Sequence, residues 1–232
     1  MDVYLTAPIG ATSFTASYRV SEISYEFVTI MNRQIEAQSA FGEGWVSCLA
    51  KSLGYDLTLM GCRGMGYTNS ITGWDPDYNS SDHRISLDTL LSRIEVMEEH
   101  FNLITLAFGI NDYATSSATL ETILTGLGDA VERLMRKYPA ARLVVITPFN
   151  SSRKGDATSN FAYNTAHGGK TLKEVAEAIQ DYCKEQGIEC IYATNGFLLN
   201  NFNITTLLPD NTHPSQEGHR LIAKNMARFL LN

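Results

Sequence analysis

The chain has 232 residues, of which 44% are hydrophobic and 19% are charged, and its formal net charge is −7. This composition is typical of a soluble globular protein and excludes a fibrous or disordered chain. The negative charge, without any run of lysine or arginine, argues against binding to nucleic acid or to an anionic membrane. One domain is the simplest organisation at this length. No apolar stretch reaches the ~20 residues of a membrane span.

The first 25 residues differ from the rest of the chain because they are rich in Ser, Thr and Tyr and partly alternate polar with apolar positions. We predict that residues 1–25 form an added hairpin or arm, through which the protein would form a homo-oligomer. The N-terminal sequence MDVYLTAPIG lacks the basic and hydrophobic regions of a signal peptide. The sequence therefore leaves the cellular compartment open.

Five short apolar runs follow, at residues 27–31, 56–60, 103–108, 142–149 and 189–194. They are mostly continuous rather than alternating, which predicts strands buried on both faces. Apolar residues at helical spacing occupy residues 44–54, 118–139, 170–187 and 214–232. This alternation predicts an α/β fold over residues 26–232, a three-layer αβα sandwich with a central, mostly parallel five-stranded sheet.

Neither the cysteines nor the acidic residues predict a metal site. The four cysteines form no CxxC pair, so we expect buried free thiols, with a disulfide between Cys183 and Cys190 as the alternative. Residues 75–86 carry acidic and amide side chains at the alternate spacing of a calcium loop, but the sixth and twelfth positions are both serine. We expect a solvated acidic loop there, no metal and no cofactor.

Polar residues follow three of the predicted strands, at the end where open parallel sheets collect their catalytic groups. The segments are GCRGMGY after the second strand, GINDY after the third and DNTHPSQEGH after the last. Taken together, Gly64, Asn111, Asp210 and His213 resemble the block pattern of the SGNH (GDSL-type) hydrolases, a family of esterases, acetylesterases and lipases. The resemblance extends from about residue 26 to the C-terminus.

The resemblance implies hydrolysis of acyl or acetyl esters through a tetrahedral oxyanion. The amide of Gly64, or of Gly66 in another register, and the side chain of Asn111 would donate hydrogen bonds to that oxyanion. His213 would be the general base, and Asp210 would hold its second ring nitrogen. Without the resemblance, the same residues would be interpreted as a tight turn, a helix cap and a loop histidine.

The block that carries the nucleophilic serine in this family is altered. In the family pattern Gly-Asp-Ser follows the first strand directly, whereas Asn32, Arg33 and Gln34 follow it here. Gln34 stands at the serine position, and an amide side chain neither gives up a proton to imidazole nor forms an acyl-enzyme. We therefore expect weak or lost esterase activity, with a catalytically silent, glycan-binding or structural module as the alternative.

Four interpretations of this block stay open. The domain is a silenced hydrolase, or another serine acts as the nucleophile, with Ser39 the nearest candidate and Ser13 a remote one. Alternatively His213 and Asp210 activate water directly, or the block was altered artificially. In serine hydrolases that lose the nucleophile, a residual rate of about 10³–10⁴ over water can remain, so hydrolysis by activated water would be slow.

The segment at residues 150–171 is polar, contains glycine and is longer than a typical connection, which predicts a lid or substrate loop. Tyr67 and Phe149 are candidate contacts for a sugar or acyl group, with ordinary packing as the alternative. The polar segment fits a carbohydrate-linked acetyl group better than a triglyceride. The expected ligand is therefore a small-molecule or carbohydrate ester.

Overall fold

A computed structural model describes residues 2–5, 14–19, 25–31, 44–75, 82–150, 166, 168–194, 204–209 and 213–231. Before residue 44 it describes only the backbone of three strands. Asn32, Arg33, Gln34 and Asp210, together with Ser13 and Ser39, lie outside the described residues.

Strands and helices alternate along the chain much as the apolar pattern predicts. The described strands are β1 (Asp2–Leu5), β2 (Phe14–Arg19), β3 (Tyr25–Met31), β4 (Tyr55–Gly61), β5 (Gly73–Trp74), β6 (Arg84–Ile85), β7 (Leu103–Ala107), β8 (Arg142–Ile146) and β9 (Glu189–Ile191). The described helices are α1 (Trp45–Leu53), α2 (Leu87–Glu95), α3 (Ile110–Tyr113), α4 (Leu120–Lys137), α5 (Leu172–Glu185), α6 (Ile204–Leu207) and α7 (Gln216–Leu230).

The main sheet has the strand order β1-β2-β4-β3-β7-β8-β9. Its last five strands in this order are all parallel, which confirms the predicted parallel core of the α/β fold. The hairpin β1–β2 adds two antiparallel strands beside β4, so the sheet is larger than the five strands expected. Because β1 is an edge strand, the predicted self-association would use this edge; it stays a prediction.

Helices cover both faces of the sheet. On one face α1 and α7 pack over a core whose largest residues include Trp45, Leu57 and Leu59. On the other face α2, α4 and α5 cover a second core, which includes Leu106 and Phe108. The central strand β7 is buried from Leu103 to Leu106, as its continuous apolar run predicts. The result is the predicted three-layer sandwich.

Side-chain caps mark where the helices begin. Thr119 and Thr171 accept hydrogen bonds from backbone amides in the first turns of α4 and α5, and each forms a reciprocal capping box. Ser215 accepts from the amide of Gly218 at the start of α7. None of the described helices combines the length and apolar character needed to cross a bilayer.

The cysteines are free thiols, as the sequence predicts. They are Cys48, Cys62, Cys183 and Cys190, and Cys183 and Cys190 form no disulfide.

The prediction of a solvated acidic loop is wrong for Asp75, which is buried. This carboxylate is 4% exposed and lies 2.7 Å from the guanidinium of Arg93. A carboxylate held by a bidentate arginine tolerates burial that an isolated one would not. Residues 76–81, which hold the rest of that spacing, lie outside the described residues.

Parallel pairing brings three chain segments to one edge of the sheet. Met31, the last residue of β3, pairs with Gly61 at the end of β4 and with Ala107 at the end of β7. The segments that follow β4 and β7 therefore leave the sheet on either side of the segment that follows β3. These are the segments that carry Gly64, Asn111 and the altered block.

Candidate active site

The segment after β4 forms a compact loop that is closed by its own backbone. The amide of Met65 donates to the carbonyl of Cys62 at 3.3 Å, and that of Gly66 donates to the carbonyl of Ile71 at 3.2 Å. Gly64 has φ of +90°, a conformation that strains any residue with a side chain. The tight-turn interpretation of Gly64 is thus correct as geometry, and it is compatible with a functional amide.

Asp112 joins this loop to the segment after β7. Its two carboxylate oxygens accept hydrogen bonds from the amides of Tyr67 and Thr68, each at 2.9 Å. The side chain is completely buried, and burial raises the pKa of the carboxyl group while the two amides act in the opposite direction. Gly66 leaves the space for this carboxylate, because a Cβ there would lie 2.6 Å from its Cγ.

Asn111 is oriented by the same loop. Its side-chain Nδ2 donates to the carbonyl of Met65 at 2.8 Å, and the residue is only 5% exposed. One N–H of the amide thus fixes the direction of the other. Gly64 and Asn111, predicted from separate blocks, therefore belong to one rigid unit that also contains Asp112.

A cleft of about 430 Å³ opens beside this unit, and both Gly64 and Asn111 line it. Its other walls come from the loop after β4, from the β5–β6 ribbon and from the end of α3; the remaining lining residues are Arg63, Ser70, Ile71, Thr72, Trp74, Arg84, Ala114 and Thr115. Most of these groups are polar. The cleft therefore suits a hydrated, hydrogen-bonding ligand better than a long acyl chain.

Lys170 contacts Thr115, one of the residues that line the cleft. It is 5% exposed, and its ammonium donates to the carbonyl of Thr115 at 2.7 Å, just beyond α3. Burial lowers the pKa of Lys170, and the nearby carboxylate of Asp112 partly opposes that shift. The segment that carries Asn111 is held in this way from two sides.

His213 lies immediately before α7, at the same edge of the sheet. It is 8% exposed and is followed by Pro214 and by the cap of the helix. The amide of Ser215 donates to the carbonyl of Leu207 at 2.7 Å, which fixes the chain just after the histidine. His213 is not among the described residues that line the cleft.

A second histidine, His219, connects α7 to the start of α1. Its Nδ1 accepts the amide hydrogen of Trp45 at 3.1 Å, so its proton is on Nε2 in the neutral form. Burial, and secondarily the neighbouring His213, lower the pKa of His219 to about 4. This contact places the first turn of α7, just after His213, against the first residue of α1.

The two predicted substrate aromatics pack as core residues. Tyr67 is completely buried, and its ring packs edge-on against Phe108 with centroids 5.4 Å apart. Phe149 is 8% exposed and packs against Trp45 at 5.6 Å. A substrate would reach either ring only after a rearrangement, so their role in binding stays a prediction.

The structure thus describes three of the five predicted catalytic residues. Gly64 and Asn111 share a cleft wall, and His213 lies at the start of α7. Gln34 and Asp210 lie outside the described residues. The sequence did not single out the carboxylate clamp of Asp112, because a residue that follows an Asn after a strand also fits a turn or a cap.

The chain is similar to known proteins in its sequence pattern and in its structure. The pattern of the GDSL-like Lipase/Acylhydrolase family matches residues 13–221. A member of the lipolytic protein G-D-S-L family from Veillonella parvula DSM 2008 is similar in structure, with a TM-score of 0.59, 16% identity, and coverage of 90% of this chain and 100% of that chain. A catalytic mutant of an acetylxylan esterase from Geobacillus stearothermophilus is also similar, with a TM-score of 0.59, 16% identity, and coverage of 89% of this chain and 95% of that chain.

At such identities these two structures support the fold alone. A search of curated proteins gave no match.

Proposed function

The chain belongs to the GDSL-like lipase and acylhydrolase family, and from that premise we propose that it hydrolyses carboxylic esters slowly, with His213 as the general base and with Gly64 and Asn111 as oxyanion donors. The observation that carries the proposal is the rigid unit in which Asp112 and Asn111 lock the loop after β4 to the segment after β7. Donors that are fixed before the reaction lower the barrier without paying for reorganisation.

The chemistry follows from these roles. His213 takes a proton from the attacking oxygen, which adds to the ester carbonyl carbon. The carbonyl oxygen becomes the oxyanion and receives hydrogen bonds from the amide of Gly64 and from the second N–H of Asn111. When the carbon–oxygen bond to the alcohol breaks, His213 returns the proton to the leaving alkoxide, and an acid and an alcohol are released.

The attacking oxygen distinguishes two versions of this mechanism. With Gln34 at the serine position, water is the nucleophile and no acyl-enzyme forms. A serine elsewhere would give an acyl-enzyme and a burst of product. Ser39, the serine nearest to the altered block in sequence, is the first to test, and Ser13 is the second.

The oxyanion assignment predicts a specific loss. Replacing Asn111 by Ala should lower kcat by about 10²-fold, since one oxyanion donor contributes about 10²–10³ in rate. The substrate is p-nitrophenyl acetate, and unfolding in urea checks that Asn111→Ala stays folded. Asn102→Ala is the matched control, because Asn102 is an exposed residue just before β7 and thus at the opposite edge of the sheet. Equal rates for Asn111→Ala and the unsubstituted protein would contradict the assignment.

Restoring the family block tests the placement of the nucleophile. The triple change Asn32→Gly, Arg33→Asp and Gln34→Ser should raise the esterase rate and produce a burst of product in the first turnover when substrate is in excess. The burst should disappear when His213 is replaced by Ala. If the triple change gives no increase, the altered block does not form the nucleophile elbow.

A second candidate function is a silent module that binds a glycan in the same cleft. The observation that favours it is Gln34, which removes the nucleophile of the family pattern. This candidate predicts binding of an oligosaccharide with no ester hydrolysis that depends on His213. The polar cleft supports a carbohydrate ligand for either candidate function. The acetylxylan esterase of similar structure is named for an acetylated glycan.

A further inference from the structure

Two arginines and a tryptophan form a row along one wall of the cleft that contains Gly64 and Asn111. Trp74 and Arg84 are directly opposite each other in the β5–β6 ribbon, so their side chains lie on the same face. The guanidinium of Arg63 lies over the ring of Trp74, 4.3 Å from its centroid. All three residues line the cleft.

Each member of this row is held in place by the backbone. The amide of Trp74 donates to the carbonyl of Arg63 at 2.8 Å. One terminal nitrogen of Arg84 donates to the carbonyl of Thr72 at 2.9 Å. The first contact restrains the backbone at Arg63, and the second restrains the side chain of Arg84. The second contact uses only one of the five N–H donors of the Arg84 guanidinium.

Among the described residues, neither Arg63 nor Arg84 forms an ion pair with a carboxylate. Other arginines behave differently, and four of them are paired within 4 Å of Asp or Glu: Arg93, Arg133, Arg136 and Arg142. The cleft lining contains no acidic residue among the described residues.

The carboxylates that directly follow the lining residues Trp74 and Asn111 already have partners. Asp75 is engaged by Arg93, and Asp112 is turned away into the loop. Two guanidinium groups that share one cleft and have no carboxylate partner in the described part of the chain are an anion-binding arrangement, because their planar N–H forks match the geometry of a carboxylate.

We propose that Arg63 and Arg84 bind a carboxylate of the ester substrate, so that the substrate class is an ester of an anionic carbohydrate or of a dicarboxylic acid. The inference deepens the proposed function, because it names a substrate class for the same cleft. Trp74 provides the adjacent apolar surface on which a sugar ring or a short methylene chain packs. Arg63 directly precedes Gly64, so the bound carboxylate lies next to the oxyanion donors.

Binding is measured first, because it does not require catalysis. The probes are digalacturonate, monomethyl succinate and the neutral disaccharide galactobiose. Each is titrated by calorimetry at about 50 mM and about 300 mM salt, because the screening of exposed charges increases over this range. We expect at least one acidic probe to bind more tightly than galactobiose and to weaken at the higher salt concentration.

The arginines are then replaced singly. Arg63→Gln and Arg84→Gln should each weaken binding of the acidic probe by about tenfold or more, as expected for loss of a charge-assisted hydrogen bond. Arg136→Gln is the control, since it removes the same charge from an exposed site on α4, 62% exposed and outside the cleft lining. Binding of galactobiose should be unchanged in all three variants.

Hydrolysis assigns the source of the carboxylate. An acetyl ester of methyl galacturonoside, a hemisuccinate of p-nitrophenol and p-nitrophenyl acetate are compared by kcat/KM in the intact protein and in both cleft variants. Preference for the galacturonoside ester places the carboxylate on the sugar, and preference for the hemisuccinate places it on the acyl group.

Two further outcomes separate the inference from the proposed function. If an acidic probe binds through the arginines but no ester is hydrolysed, the proposed function fails and the inference holds. If p-nitrophenyl acetate is hydrolysed but no acidic probe binds better than galactobiose, or if Arg136→Gln weakens binding as much as the cleft variants do, the inference is overturned.

Discussion

Replacing Gly66 by Ala tests the clamp that joins the two halves of the candidate oxyanion site. The added Cβ would lie closest to Oδ2 of Asp112 and 2.6 Å from its Cγ and Oδ1, whereas ordinary contacts begin at 3.4 Å, so the carboxylate must retreat by more than about 0.8 Å. Its hydrogen bonds from Tyr67 and Thr68 are both 2.9 Å long and would break. Gly66 does not have a positive φ, so the backbone itself accepts alanine.

The magnitude follows from the two bonds. A hydrogen bond to a charged group contributes about 1.5–3 kcal/mol, so their loss costs about 3–6 kcal/mol. Replacing glycine by alanine returns about 0.4–1 kcal/mol by restricting the unfolded chain. We expect Gly66→Ala to lower the free energy of unfolding by about 2–5 kcal/mol, measured by urea titration with tryptophan fluorescence, and to lower any esterase rate.

A double-mutant cycle separates this clash from a general packing defect. In an Asp112→Ala background the atoms that Cβ would meet are absent, so adding Gly66→Ala should cost less than about 1 kcal/mol. If Gly66→Ala costs the same with and without the carboxylate, or if it costs less than about 1 kcal/mol alone, the clamp does not hold the loop as described.

Two further predictions concern α4 and His219. Gly126→Ala should destabilise the protein by about 3 kcal/mol or more, because the added Cβ would overlap the carbonyl oxygen of Tyr67. In Gly128→Ala the closest contact of the added Cβ is the movable hydroxyl of Tyr182, so this variant should be neutral or stabilised by up to about 1 kcal/mol. Equal shifts of the melting temperature in the two variants would refute the contact between Gly126 and Tyr67. The pKa of His219 is about 4 in the folded state and about 6.5 in the unfolded state, so the unfolded chain binds more protons between these values and stability falls as the pH is lowered from 7 to 5. This histidine should account for about 2 kcal/mol of that fall, and His219→Gln should reduce the pH dependence of urea unfolding by that amount; an unchanged dependence would show that the imidazole is not held neutral.

The strands of the sheet were predictable because burial on both faces leaves a direct mark in sequence. The runs at residues 56–60 and 103–108 lie within one residue of β4 and β7. The run at residues 189–194 overstates β9, which ends at Ile191, because Ala193 is buried in the core although its amide donates to the side chain of Thr147 and not to a neighbouring strand. Apolar character reports burial, and burial continues beyond the last strand hydrogen bond.

One helix was missed although its signal is present. In α2, buried leucines at positions 87, 90 and 91 and isoleucine at 94 have helical spacing, and Ser86 caps the helix by accepting from the amide of Thr89. Ser86 was interpreted only as the last position of a calcium-like spacing. The polar residues between the leucines lower the mean hydropathy of the segment, so the capping serine was the stronger indication.

The site itself was only partly predictable. Gly64 and Asn111 could be named because their blocks resemble those of a family, and the pairing of β3 with both neighbouring strands explains why they meet. The clamp between Asp112 and Tyr67 spans 45 residues, and the row of Arg63, Trp74 and Arg84 depends on the register of a two-residue ribbon. Contacts of this kind have no local periodicity, so a single sequence does not indicate them.

The central claim is that His213 acts as a base beside a preformed oxyanion site. The most direct measurement is the initial rate of p-nitrophenyl acetate hydrolysis by the unsubstituted protein, by His213→Ala and by His100→Ala. His100 is an exposed histidine just before β7, at the opposite edge of the sheet, and it controls for hydrolysis by any surface imidazole. The account predicts a loss of at least about tenfold for His213→Ala and none for His100→Ala, because general-base catalysis contributes about 10²–10⁴ in rate. Equal rates for all three proteins would contradict it.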